Sequence, residues 1–173
     1  MDPFLLSGGS SSMKSIATDS AARSYVTLGV GDDVFAVDVA YVREILDCPH
    51  ISGLPYAPPF LAGMIDVRGR TWPVINLRRK LGLPDIPPSD KSRVLVLEIP
   101  TENRPLGLGL LCDRVFDVAE FDALGLEAAP EIGVNWKSEY IKAIGRWRGG
   151  FVIIFDMERL FTSHEVAKLN AAS

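Results

Sequence analysis

Apolar residues in this chain fall in short runs, broken at roughly ten-residue spacing by glycine, proline or acidic clusters. Val26, Leu28 and Val30 share one face of a strand over Tyr25 to Val30, the alternation expected of a half-buried strand. Gly31-Asp32-Asp33 predicts a turn and Val34 to Asp38 a returning strand. Val39 to Leu46, with Val42 and Ile45 three apart, fits either a short helix or an irregular strand. Phe60 to Gly63 reads as a single helical turn. Met64 to Val67 and Arg70 to Leu77 then form a hairpin across Arg68-Gly69, where glycine supplies the positive φ that tight turns need. Pro73 predicts that the returning strand is an edge or carries a bulge. Leu77 to Leu81 reads as a short helix stopped by Gly82 and Pro84.

Farther along, Arg93 to Ile99 is almost continuously apolar and predicts a strand buried on both faces. Leu106, Leu108, Leu110 and Cys112 alternate on one face of the next strand, with Gly107 and Gly109 on the other. Glycines there permit close approach of a neighbouring group. Asp113 to Val118 resembles Asp38 to Ile45, residues 119–139 are loop-rich, and a second hairpin turns around Gly149-Gly150. Asp156 is placed to cap Met157 to Phe161, and Thr162 with Glu165 fits a capping box for a C-terminal helix over Ser163 to Asn170. Many short strands with Gly and Pro punctuation predict a mainly β chain, built as small barrels or a sandwich rather than a βαβ sheet.

The pattern occurs twice. Phe60 to Leu81 and Tyr140 to Phe161 align at a separation of 80 positions, Arg68-Gly69 on Arg148-Gly149 and Val74 to Leu77 on Ile154 to Met157. Agreement over more than twenty residues, polar positions included, predicts two similar half-domains. Leu83 to Asp90, LPDIPPSD, is the clearest linker. It divides a first part, 24–82 with the C-terminal helix, from a second, 91–156. Residues 1–12 read as an appended leader with Met13 as a possible native start, and 13–23 as a loose polar N-terminus.

Composition narrows the function classes. An apolar content of 47% over 173 residues supplies a sizeable core. A net charge of −4 and a pI near 5.2 give no global basic footprint for nucleic acid. No apolar run reaches membrane-span length, so no direct membrane insertion is expected. Two separated cysteines, Cys48 and Cys112, make no disulfide framework and suit a reducing cytoplasm.

Candidate chemistry is sparse. Cys48 and His50 offer two metal ligands with no second pair at metal-site spacing, and no orienting acid for nucleophilic catalysis. Leu106-Gly107-Leu108-Gly109 lacks the third glycine and the Lys-Ser or Lys-Thr of a phosphate loop. Asp113 and Asp117 are an acid pair with nothing to place a substrate between them. Arg146, Arg148 and the glycines beside them read as hairpin turn rather than an RNA-binding element. No catalytic residue, cofactor or metal is expected, and a binding module is favoured over an enzyme. An enzyme using Cys48, His50 or Asp113 is the rival. Glu44 and Arg68 stand out as a polar pair in apolar surroundings and would form an ion pair if their segments meet.

These residues resemble a known family. Gly63 to Arg78, GMIDVRGRTWPVINLR, follows the pattern G-x-x-N-L-R-G-x-x-x-P-x-x-D-L-R of CheW-like chemotaxis adaptors. Val42 to Ile45 fits its V-x-E-I, Gly109 to Val118 its G-x-x-x-D-x-V-x-x-V, and Glu139-Tyr140-Ile141 with the C-terminal helix completes the set over about Ser24 to Leu169. Asp66 and Asn76 exchange the family's Asn and Asp. The resemblance implies two five-stranded SH3-like β-barrel subdomains related by a pseudo-twofold. It also implies a cytoplasmic, non-enzymatic adaptor between a chemoreceptor hairpin tip and the regulatory domain of a CheA-type histidine kinase, or an adaptor of a related pathway such as one governing type IV pili. Carried over by position, the partner-binding residues are Val42, Glu44, Gly63, Arg68, Gly109 and Val115.

Overall fold

A computed structural model describes residues 22–102, 104–122, 125–128, 140–161, 165–166 and 169. The readings of residues 1–21, of the loop through 129–139 and of the cap at Thr162 lie outside the described residues. Sheet A runs β8-β1-β2-β10-β9 and sheet B runs β3-β6-β7-β5-β4. The strands are β1 (Arg23–Val30), β2 (Asp33–Asp38), β3 (Val42–Asp47), β4 (Leu61–Val67), β5 (Arg70–Asn76), β6 (Arg93–Ile99), β7 (Leu106–Cys112), β8 (Arg114–Phe121), β9 (Ile141–Trp147) and β10 (Gly150–Phe155). A 3-10 turn at Val39–Tyr41 precedes β3, and the short helix α1 (Leu77–Lys80) follows β5.

The two sheets do not divide at residues 83–90. Residues 24–82 place β1 and β2 in sheet A but β3, β4 and β5 in sheet B. Residues 91–156 do the reverse, with β6 and β7 in sheet B and β8, β9 and β10 in sheet A. The duplication is real in pattern, yet the halves exchange three strands each. The joints are the two parallel pairings. Ile154 of β10 lies beside Ala36 of β2, and Val74 of β5 beside Gly109 of β7. A division by sequence assigns neighbours by connectivity, whereas parallel pairing joins strands far apart in the chain.

Equivalent contacts recur 80 positions apart. The amide of Asn76 donates to the Phe60 carbonyl at 2.8 Å, and that of Asp156 to Tyr140 at 2.7 Å. Ser52 and Met64 exchange two backbone hydrogen bonds across the outer side of β4, as Glu127 and Ile144 do across β9. Both hairpin turns hold two successive residues at positive φ, Arg68 (53°) with Gly69 (82°) and Arg148 (51°) with Gly149 (78°). This is the turn whose twist matches two-residue hairpins. The second turn is therefore at Arg148-Gly149, one residue earlier than the glycine pair suggests.

The alternate residues of β1 and β7 face a shared core as expected, although both strands are buried on both faces over most of their length rather than half-buried. Val26, Leu28 and Val30 of sheet A join Leu95, Leu97, Leu106, Leu108 and Leu110 of sheet B in one large core shared between the sheets. Each sheet keeps a smaller core on its other face: Ile65, Trp72, Val74, Val94, Val96 and Leu111 in B, and Tyr25, Ala36, Phe121, Val152 and Ile154 in A. Gly107 shows why β7 carries glycine, since a Cβ there would lie 2.3 Å from the Trp72 ring. Two local readings differ. Leu61 to Gly63 lies in β4 instead of a helical turn, because Gly63 pairs with Val74. Met157 to Arg159 forms a turn rather than a helix. The Pro73 reading holds locally: β5 joins β7 only from Val74 onward, so at Pro73 the strand is an edge on that side and the proline interrupts no pairing there.

The C-terminal segment is tied to α1. Lys80, its side chain only 5% exposed, meets both carboxylate oxygens of Glu165 at 2.9 Å. Its ammonium also lies over Phe60, Tyr140 and Phe161 at 5.0 to 5.7 Å from the ring centroids, a favourable placement for a desolvated cation. Phe60 and Tyr140 are duplicate positions, so the lysine sits where the two halves meet. Gly107→Ala, which forces a methyl against Trp72, should lower unfolding free energy by about 1–3 kcal/mol, measured by urea denaturation.

Candidate docking face

β3 alternates, with Arg43, Ile45 and Asp47 exposed and Val42, Glu44 and Leu46 half-buried, and the acid and glycine positions singled out in the sequence align across its sheet. Four consecutive pairings run straight across sheet B: Glu44 of β3 opposite Val96, Val96 opposite Gly109, Gly109 beside Val74, and Val74 opposite Gly63 of β4. Glu44, Gly109 and Gly63 thus occupy one rung. Arg68 closes the rung on itself. From the β4–β5 turn its Nη2 donates to Glu44 Oε2 at 3.4 Å, joining the turn beside one edge strand to the opposite edge. The sheet must curl for this to happen. The Arg68 side chain is 83% exposed, so the pair contributes about 1 kcal/mol at most and leaves the arginine open to an incoming group.

The two glycines have a different standing from the charged pair. Both are buried. Gly63 holds φ 151°, and a Cβ there would lie 2.2 Å from the Ser52 carbonyl oxygen; a Cβ at Gly109 would lie 2.7 Å from Val94. They shape the sheet rather than meet solvent. Val42 and Val115 are half-buried and pack on the shared core from β3 and β8, pairing with Leu97 and Leu28. Val115 lies in sheet A, off the rung formed by the others.

The equivalent rung of sheet A runs Asp117, Thr27, Ala36, Ile154, Ala143. Arg148 reaches Asp117 at 3.5 Å, with both side chains about 60% exposed. This second clasp is absent from the sequence reading, which left Arg148 without a partner. Its signal was present: Asp117 follows Val115 by two positions as Glu44 follows Val42. Ile45 and Val118, the next residues after the two acids, are exposed apolar side chains.

Asp113 is a structural acid. Arg78 donates to it twice, Nε to Oδ1 at 3.0 Å and Nη2 to Oδ2 at 2.8 Å, and the Gly31 amide donates at 2.7 Å. The Asp113 amide donates to the Gly29 carbonyl at 3.0 Å. One residue thereby ties the β1–β2 turn of sheet A to α1 of sheet B. The Arg78 hydrogen bonds hold its carboxyl below the usual carboxylate range, against the opposing effect of burial. Burial raises the Cys48 thiol and pushes Cys112 up to about 12, so neither is a ready thiolate. Among the described residues no group of three His, Cys, Asp or Glu side chains could hold a metal ion, and no helix is long and apolar enough to cross a membrane.

The CheW-like domain model matches residues 24–165. The chain belongs to the CheW-like family. A chemotaxis protein CheW of Klebsiella aerogenes is 25% identical over 92% of this chain and 93% of its own length. Protein PilI of Pseudomonas aeruginosa is 31% identical over 61% of this chain and 58% of its own. The crystal structure of scaffolding protein TtCheW from Thermoanaerobacter tengcongensis superposes with a TM-score of 0.73 at 24% identity, covering 84% of this chain and 91% of that one. The mainly β fold with two five-stranded sheets matches that structure and is consistent with the two-subdomain fold that the resemblance implied.

Two outcomes follow from the CheW-like geometry. Gly63→Ala should cost about 2–4 kcal/mol through strain and the Ser52 clash, so any loss of partner binding should track loss of fold by urea titration. Asp113→Asn should cost about 1–3 kcal/mol at neutral pH. Because the folded-state pKa is lowered, the carboxylate's contribution is full above its unfolded value near about 3.9 and fades as pH falls through the lowered value. The variant should lack that part of the acid dependence in melts between pH 2 and pH 7.

Proposed function

We propose that this protein is a non-enzymatic, cytoplasmic adaptor that joins chemoreceptors to the regulatory domain of a CheA-type histidine kinase. The observation that carries the reading is the rung in sheet B, where the CheW-like signature residues Glu44, Gly63 and Gly109 align and Arg68 stands exposed beside the acid. Membership in the CheW-like family supports it, as do relatives named chemotaxis protein CheW. An adaptor must offer binding surface without a reaction. The candidate acids Asp113 and Asp117 are held by Arg78 and Arg148, and the thiols of Cys48 and Cys112 are raised by burial rather than activated.

The receptor partner would take the surface between sheet A and α1. A cleft of about 430 Å³ is lined by Phe35, Ile153 and Phe155 of sheet A, Leu81 and Leu83 beyond α1, and Tyr140. Apolar grooves of this kind take one face of a helix, and a receptor tip is a helical hairpin. Asp33 and Arg79, which also line the cleft, supply polar groups that set orientation. A second reading keeps the adaptor role but changes the output to a non-flagellar chemosensory-like pathway. Similarity to PilI favours it.

Titration of the isotope-labelled full chain with a receptor-tip hairpin and, separately, with a kinase regulatory domain tests the proposal. Each should bind with Kd below about 100 μM. Arg68→Glu should weaken one of the two by about tenfold, and Glu44→Arg in the same chain should restore part of it. Failure of both partners to bind, with the fold intact, would sink the adaptor reading.

A further inference from the structure

The near-symmetry of the two sheets provides an internal control, because positions related by duplication show which surface features one sheet has acquired alone. At the β4–β5 turn of sheet B the residues Asp66, Val67, Arg68 and Thr71 are met 80 positions later by Arg146, Trp147, Arg148 and Phe151. In the edge strand paired with each turn, Arg43 corresponds to Phe116, judged from the matched pairings of Val42 with Leu97 and Val115 with Leu28. Sheet A has exchanged an acid, a valine, a threonine and an arginine for one arginine and three aromatics.

These side chains interlock. Arg114 lies over Phe116 at 5.2 Å, Phe116 meets Trp147 at 5.4 Å between ring centroids, and Arg148 lies over Trp147 at 4.2 Å. One rung away Arg146 lies over Phe151 at 5.2 Å, and Phe151 is 60% exposed. Stacking holds the guanidiniums in place while leaving their hydrogen-bond donors facing outward. Asp117 meets Arg148 at 3.5 Å and partly neutralises it; Asp113, next to Arg114 in sequence, is engaged by Arg78. Among the described residues at this turn, Arg114, Arg146 and Arg148 outnumber the one acid not already held by another arginine, Asp117, which makes a local positive surface on a chain whose net charge is −4.

We propose that the β9–β10 turn with the start of β8 is a docking surface for an acidic, apolar segment of a partner protein. The charge calls for carboxylates. Preordered arginines with half-buried Phe116 and Trp147, and exposed Phe151 as the protruding anchor, are the composition of protein-binding hot spots. Carboxylates of the partner would accept from Arg146 and Arg148 while an apolar side chain packs on Phe151. The surface lies on the opposite sheet from Glu44 and Arg68 and does not depend on their role.

The test uses the full chain and a fixed set of probes. These are a twelve-residue peptide alternating Glu or Asp with Leu or Phe, its counterpart with Lys in place of the acids, phosphatidylglycerol vesicles, and a thymidine oligonucleotide. The acidic peptide should bind saturably, shift the Trp147 indole resonance, and weaken as salt rises. Arg146→Glu and Phe151→Ser, both exposed and each checked by an unchanged melt, should each weaken it at least about fivefold, whereas Arg68→Glu should leave it unchanged. The lysine peptide should not bind. Absence of saturable binding by the acidic peptide, equal binding after Arg146→Glu, or tighter binding to vesicles or oligonucleotide would overturn the proposal.

Discussion

The structure depends on the exchange of strands between its two halves. Because β10 pairs with β2 and β5 with β7, neither half owns a sheet. Each contributes two strands to one sheet and three to the other, and the central strands β1, β2, β6 and β7 all face the shared core. The apolar residues between the sheets, Leu28, Leu97, Leu108 and Leu110 among them, are fully buried; each such side chain contributes roughly 1.5–3 kcal/mol on burial. Separating the sheets would expose that core, and separating the halves would break both sheets. The linker at 83–90 is consequently not a hinge between independent units.

Function follows from that interlock. An adaptor transmits only if its binding faces keep a fixed relation, since coupling requires that occupancy of one surface bias packing at another. Here the Glu44–Arg68 clasp and the Arg148–Asp117 clasp belong to different sheets, yet both sheets rest on one core. Two lesser ties cross between them. Asp113 holds the β1–β2 turn to α1, and Lys80 meets aromatic residues from both halves. The clasps themselves are weak and exposed, which suits contacts that a partner must displace.

Much of this was legible in the sequence. Alternation located β1 and β7, a turn signal located β2, and an almost continuous apolar run located β6. The doubled Arg-Gly hairpin identified the duplication, and Glu44 and Arg68, polar residues in apolar surroundings, pointed to a pair that does meet. What escaped was non-local. Strand exchange leaves no local mark, because residues 24–82 have the same alternation whether they form one sheet or parts of two. Gly63 and Gly109 carry a family signature without announcing that they are buried, since a glycine's burial is set by its neighbours, here Ser52 and Val94. Phe60 to Gly63 has helical spacing by itself, and Leu61 to Gly63 became strand through pairing with β5. Asp117 was readable only once β8 was aligned on β3.

The central claim is that the exchanged halves make one cooperative scaffold, so that both faces are carried by a single body. Native-state hydrogen exchange on the full chain tests it most directly, through the core amides of Leu28 and Ala36 in sheet A and of Leu97 and Leu110 in sheet B. The account predicts that all four open with the same free energy, equal to that of global unfolding. Opening of one sheet's amides at a free energy several kcal/mol below the other's would contradict it.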